Sequence, residues 1–347
     1  MTVLVSGHPL PVELVRAPRR RAVRAGLALA AVGIALFIAA LFAGGERALW
    51  PLVVPGAAAN DPVGWLILTE IRLPRALLAV LVGATLGLSG AAMQGLLRNP
   101  LADPGLIGVS SMAALGAVLV LYFGLAGVAI WLLPLGGLGG ALVAILILYA
   151  LAGRDASVLT LILAGLALGT LASALTSLAL NFAPSPYAAL EIVFWILGSL
   201  ADRSFMHVWL ALPFMAAGAT LLMGSRKGLD ALTLGEDAAH SLGVNLNRTR
   251  LLVILGTALS VGAAVSVTGV IGFVGLMVPH LLRPWASFRP SALLPLSALG
   301  GAVLMLGADL AVRTLSGGQE LKLGVVTALI GGPFFVLLLL KTRRAMR

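Results

Sequence analysis

The sequence predicts an all-α polytopic membrane protein. Three observations carry that prediction: the scarcity of charge, the length of the apolar runs and the placement of the cations that remain. Of 347 residues, 60% are apolar and 10% charged, against about 25% charged in an ordinary soluble domain. Mean hydropathy is +1.08. A chain so poor in charge cannot cover a globular core with polar surface. One membrane domain is therefore expected, rather than the two soluble domains that length alone would suggest. Forty-two glycines suit closely packed membrane helices, where small residues let backbones approach. The chain has no cysteine, which excludes disulfides, zinc–thiolate sites and iron–sulfur clusters. A net charge of +10 could suggest nucleic acid. The basic residues, however, are scattered at the ends of apolar segments, the pattern of loops facing the cytoplasm.

A span needs about 20 mostly apolar residues. Unbroken rather than alternating runs mean helices, because only helices and closed barrels satisfy their backbone in lipid. The first run, at about 25–43, exceeds the roughly 7–15 residues of a signal-peptide core. It is read as an uncleaved first span behind a cytoplasmic tail, 1–24, whose first 15 residues have little to bury and are expected to lack order. Further runs fall at about 73–97, 105–123, 127–151, 158–181, 204–223, 250–268, 271–283, 291–311 and 323–341. The segment 271–283 is too short to cross alone. The run 187–199 is also short and follows the turn Pro184-Ser185-Pro186, so it is read as an outer interfacial or re-entrant helix. Ten spans over 25–341 return the 342–347 tail to the side of the N-terminus. With both termini inside, 17 of the 23 Lys and Arg lie on the cytoplasmic face, while the acids divide almost evenly, as the positive-inside rule requires. The longest polar stretch on that face, 224–250, has turn glycines and short helical patches. It reads either as a docking surface for a soluble partner or as a solvated connector.

Chemistry is sparse. No G-x-x-x-x-G-K-[ST] phosphate loop, H-E-x-x-H or G-x-S-x-G occurs, so neither ATP binding of the usual kind nor a catalytic or metal site is expected. His8, His207, His240 and His280 sit far apart near segment ends and read as interfacial residues. Asp309 lies near the end of its helix, and Glu191 and Asp202 flank the short outer helix. The middle of every span is free of charge. A proton- or sodium-coupled carrier needs carboxylates or a cation site near the midplane, so the driving energy is expected from a partner protein. Arg72 and Arg75 precede the second span and Arg313 follows the ninth. Snorkelling to headgroups and bidentate pairing with an acidic partner outside explain them equally.

Three long stretches resemble one family. They are LPRALLAVLVGATLGLSGAAMQGLLRNPLADPGLIGVSSMAALGA at 73–117, LTLGEDAAHSLGV at 232–244 and VTGVIGFVGLMVPHLLR at 267–283, the last followed by GAD at 307–309 and GVVTALIGGPFFVLLLLK at 324–341. They are similar to the FecCD-type permeases, membrane subunits of bacterial type II ABC importers for heme, iron–siderophores and cobalamin. The resemblance implies the type II importer fold: ten helices per subunit plus the short outer helix, paired as a homodimer in the inner membrane. Two cytoplasmic ABC ATPase subunits and one periplasmic binding protein would complete it, with no cofactor of the permease's own. It further implies that the helix over 158–181, rich in Gly, Ala, Ser and Thr, lines the pathway. Arg72, Arg75 and Arg313 would dock the binding protein. Asn99, Leu101, Val158 and Leu159 would form the cytoplasmic gate, although some relatives carry small hydroxyl residues at the last two positions. Leu234, Gly235, Glu236, Asp237, Ala238, Leu242 and Gly243 would couple to the ATPase. Heme is the first expected cargo, ferric siderophores the second and cobalamin the third. Met93, Met215, Met277 and Met305 are read as packing residues. A stand-alone channel or secondary carrier is the alternative of another class, and an intramembrane enzyme a third.

Overall fold

The computed structural model describes residues 4–5, 8–9, 12–42, 61–152, 158–315 and 321–345. Residue 43 of the first expected span, Arg47, Arg154 and Arg347 lie outside them, as does the side chain of Val158. Apart from a two-residue antiparallel pair, β1 (Leu4–Val5) with β2 (His8–Pro9), the described chain is helical. Its long elements are α1 (Val12–Phe42), α2 (Pro62–Leu96), α3 (Val109–Tyr122), α4 (Leu132–Ala152) and α5 (Val158–Asn181). Next come α6 (Pro186–Ile196), α7 (Phe205–Gly224), and the short α8 (Arg226–Leu232) and α9 (Glu236–Ser241). The remainder is α10 (Leu246–Thr268), α11 (Val274–Leu282), α12 (Pro290–Leu315) and α13 (Leu323–Ala345). Among the described residues, seven helices are long and apolar enough to cross a bilayer. With 14, 11 and 9 residues, α3, α6 and α11 fall below that length.

Several boundaries differ from the expectation, each for a local reason. Helix α1 begins at Val12, inside the segment expected to lack order. Helix α2 starts 11 residues early because Asp61 caps it: its Oδ1 accepts from Gly64 N at 2.9 Å, and Pro62 occupies the first helical position. A π-helical turn over Ile67–Arg72 then joins this segment to the expected span. The run expected at 105–123 is split by a 3-10 turn, Pro104–Ile107, and by Gly108 at φ 70°. Asn245 draws the start of α10 forward to Leu246 by accepting from Arg248 N at 2.9 Å. Helix α11 opens from Phe273 in the left-handed region, φ 67°, which sets its axis apart from that of α10.

Helix packing relies on missing side chains. Helices α2 and α12 run antiparallel along one seam. A Cβ on Gly83 would collide with the Gly301 carbonyl, and one on Gly87 with the Ser297 carbonyl. The same logic seats α3 on α4, where a Cβ on Gly116 would meet the Gly136 carbonyl, and α7 on α10, where one on Gly218 would meet Ser260 Oγ. Lipid tails are as apolar as leucine, so close backbone approach and van der Waals contact must replace the hydrophobic drive. Helix α1 stands at the edge, leaving Leu27, Val32, Ile34 and Ile38 exposed.

Leucine at Gly87 should therefore overpack the α2–α12 seam and cost about 1–3 kcal/mol or more. Leucine at Gly139, where a Cβ meets open space, should leave thermal unfolding in detergent unchanged. Equal melting of the two variants would refute the seam.

Candidate functional site

Two groups of functional side chains sit at opposite ends of α12. At the end near Leu315, Asp309 is buried to 1% exposure between two arginines. Arg75 Nε donates to its Oδ1 at 2.8 Å, and Arg313 Nε lies 3.2 Å from its Oδ2. Arg313 also donates to the Ala40 carbonyl at 2.9 Å, and Arg72, itself 6% exposed, donates to the Leu41 carbonyl at 3.1 Å. The three expected docking arginines thus converge, and they tie α2, α12 and the end of α1 together around one carboxylate. The sequence left Asp309 without a role. Its spacing of four residues from Arg313, one helical turn, was the available signal.

At the other end of α12 stand α8 and α9. A Cβ on Gly95, near the end of α2, would rest against Leu229 of α8, which places this end opposite the arginine cluster. Asp230 on α8 accepts from Ser291 N at 2.8 Å, capping the start of α12. The expected coupling residues form a shelf beside it. Gly235 and Gly243 adopt φ 103° and 76° with open space about them, so their backbone conformation, not crowding, calls for glycine. Ala239 is buried and anchors α9. Leu234 and Leu242 project outward, 66% and 64% exposed. Glu236 pairs with Arg250 at 2.9 Å, fixing α9 against α10. Asp237 is exposed, and its carbonyl accepts from Ser241 Oγ at 2.9 Å; Ala238 is half-buried.

The expected gate residues occupy the α8–α9 end. Asn99 follows Arg98, whose φ is 47°, and its Oδ1 accepts from Leu101 N at 2.9 Å, holding a tight turn. Burial pushes the nearby Asp103 carboxyl above its ordinary value, against a hydrogen bond from Gly105 N that pulls it down. The loop continues into Pro104–Ile107, and a Cβ on Gly165 of α5 would press on Ile107. The loop that follows Leu101 therefore packs against α5. Leu159 is 64% exposed. Along the exposed side of α5, the hydroxyls of Thr170, Ser173 and Ser177 each donate to the carbonyl four residues back, at 2.8–3.0 Å. This turns their polarity into the helix and leaves a weakly polar wall.

Sequence reasoning missed two further features. Arg283, at the end of α11, donates to Gln94 Oε1 at 2.6 Å, while Gln94 Nε2 donates to the Leu276 carbonyl at 3.1 Å. This polar clasp joins α2 to α11. His207 is not interfacial but 3% exposed: its Nδ1 accepts from Ser204 N at 3.2 Å and so closes the start of α7. Among the described residues, no three His, Asp or Glu side chains converge to hold a metal.

The described residues thus form a helical body with seven helices long and apolar enough to cross a bilayer and a pair of short helices at one end. The chain matches the FecCD transport family over residues 27–341 and belongs to it. It is 39% identical over 329 residues to the vitamin B12 import system permease protein BtuC of Salmonella paratyphi A, covering 95% of this chain and 98% of that one. It is 40% identical over 307 residues to the uncharacterized ABC transporter permease protein YvrB of Bacillus subtilis (strain 168), covering 87% and 86%. Among solved structures, an inward-facing ABC transporter of metal-chelate type superposes with a TM-score of 0.81 at 32% identity, over 91% of this chain and 98% of that one.

Asparagine at Asp309 would leave Arg75 and Arg313 without their shared anion. Removing one member of a buried charge group costs about 3–5 kcal/mol, whereas Glu236→Gln removes a half-exposed pair that contributes about 0–1 kcal/mol. Thermal unfolding of the two variants in detergent should separate them clearly. A melting point for Asp309→Asn equal to that of Glu236→Gln would contradict the hub.

Proposed function

We propose that the chain is the homodimeric membrane subunit of an inner-membrane ABC importer. It would receive a metal chelate from a periplasmic binding protein and be driven by two ATPases seated on the α8–α9 shelf. The observation that carries this reading is the pairing of that shelf with α12. Leu234 and Leu242 offer exposed apolar contacts, Gly235 and Gly243 set the shelf's shape, and the Asp230 carboxylate transmits its position to the first turn of α12. The shelf side is assigned to the cytoplasm by the cation bias of the sequence, which also puts both termini there. The Arg72, Arg75 and Arg313 cluster then faces the periplasm. A glutamate of the binding protein would share or replace the charge of Asp309, exploiting guanidiniums already held in place. Asn99, Leu101, Val158 and Leu159 would close the pathway on the cytoplasmic side, and α5 of two copies would wall it. The covalent chemistry is the ATPases' alone.

For the cargo, we propose a cobalamin-like or other metal chelate. The support is the vitamin B12 import assigned to the BtuC relative, matched over 95% of the chain, and the metal-chelate type of the superposed transporter. Heme, the first expectation from sequence, gains no support from either. The weakly polar wall of α5 suits a bulky solute that must pass without being held.

Uptake into vesicles containing the complete importer should favour cobalamin over heme and a ferric siderophore when the three are offered side by side. Gly243→Pro, or Glu236→Lys with Asp237→Lys, should abolish uptake while leaving the permease folded and basal ATP hydrolysis present. Normal transport-coupled hydrolysis in both variants would defeat the shelf assignment.

A further inference from the structure

A cavity of about 700 Å³ opens between α1, α8 and the start of α12. It borders the shelf at α8 but includes none of the expected coupling or gate residues. Three cations reach into it: Arg226 and Lys227 from α8, and Arg289 from the turn before α12. All three are exposed, and among the described residues none of the three side chains donates a hydrogen bond or forms an ion pair. The single carboxylate in the lining, Asp230, is engaged with Ser291 N at 2.8 Å. The cavity therefore carries an unanswered positive charge. Arg20, Arg21 and Arg24 of α1, close in sequence to Ala22 and Val23 of the cavity wall, are exposed as well.

The opposite wall is apolar. Val23 is 54% exposed and Leu299 37%, and Leu296 forms the floor. Val23 and Gly26 stand where the apolar stretch Arg20–Phe42 begins, and that stretch leaves Leu27, Val32 and Ile34 exposed. The cavity thus lies at headgroup depth, cationic above and continuous below with a lipid-facing helix. A soluble acidic protein would satisfy the cations but leave Val23, Pro295 and Leu299 wet. A molecule with a phosphate head and acyl chains satisfies both walls, because basic pockets between helices attract anionic headgroups and each nearby cation adds to the attraction.

We infer that this cavity is a binding site for one anionic glycerophospholipid of the leaflet on the α8–α9 side, its phosphate held by Arg226, Lys227 and Arg289 and its chains lying against α1 and α12. Because Asp230 and Ser291 share the cavity, the lipid would stiffen the contact between shelf and helix. The inference needs only the membrane placement of α1 and α12 and is independent of the cargo.

Native mass spectrometry of the full-length chain released from detergent tests it, with phosphatidylglycerol, phosphatidylcholine or soluble glycerol phosphate added. One phosphatidylglycerol per chain should be retained at least about ten-fold more strongly than phosphatidylcholine. Arg226→Gln with Lys227→Gln and Arg289→Gln should remove that preference, while Arg248→Gln, outside the cavity, should keep it. Gly26→Phe is the second variant. A Cβ there meets Leu296 and Leu299 at an ordinary 3.6 and 3.9 Å, so the ring fills the cavity without altering charge and should also displace the lipid. Undiminished preference in both cavity variants would overturn the site, as would equal retention of phosphatidylcholine. Glycerol phosphate binding as tightly as the lipid would make it a site for a soluble phosphate instead.

Discussion

The seam between α2 and α12 is the constraint from which the rest of the structure follows. In lipid, two apolar helices gain nothing from hiding from water, so their association depends on how closely their backbones can approach. Gly83, Gly87 and Gly301 remove the side chains that would keep these two apart. The Arg283–Gln94 clasp, at 2.6 Å, holds α11 to the same helix by a polar contact where the alternative is an unsatisfied group in a poor solvent. Once α2 and α12 are locked together, their ends are fixed relative to each other. Arg75 and Arg313 then meet Asp309 at one end, and Ser291 meets Asp230 at the other.

From Ser291 to Arg313 the helix runs about 33 Å at 1.5 Å per residue, close to the roughly 30 Å of a bilayer's hydrocarbon core. One rigid element therefore carries both polar contacts across the membrane. That arrangement gives physical content to the proposed transport by a subunit driven from outside its own spans. On the proposed reading, a displacement of the α8–α9 shelf would reach α12 through the Asp230 hydrogen bond. It can travel to the arginine cluster without a chain of moving side chains, because a close-packed helix pair moves as a body. The back-bonded hydroxyls of Thr170, Ser173 and Ser177 show the complementary design on α5: polarity turned inward, so that the exposed face neither ligates nor repels.

Much of this was legible in the sequence. Length and hydropathy located the helices because the cost of an unpaired backbone in lipid leaves few alternatives. Turn glycines and helical patches over 224–250 marked a structured stretch there, and the structure adds that Gly235 and Gly243 hold positive φ in open space. The sequence could not show where helices start when a cap lies outside the apolar run, as Asp61 does for α2, or where a 3-10 turn interrupts one, as at Pro104–Ile107. Nor could it show pairings across the fold. Arg75 and Asp309 are 234 residues apart, and Gln94 and Arg283 are 189 apart, so each looked like a lone polar residue near a helix end. Cargo was the least legible property, since the weakly polar wall proposed for the pathway would carry little imprint of its solute. The expectation of heme rested on resemblance alone.

The central claim is that force enters through the α8–α9 shelf from a separate nucleotide-hydrolysing protein. Its most direct test is to reconstitute this polypeptide into vesicles with and without its ATPase and binding-protein partners, and to follow cargo accumulation with ATP present or absent. The account predicts accumulation only when the partners and ATP are all supplied. Concentration of cargo by the polypeptide alone, in nucleotide-free buffer under an ion gradient, would contradict it.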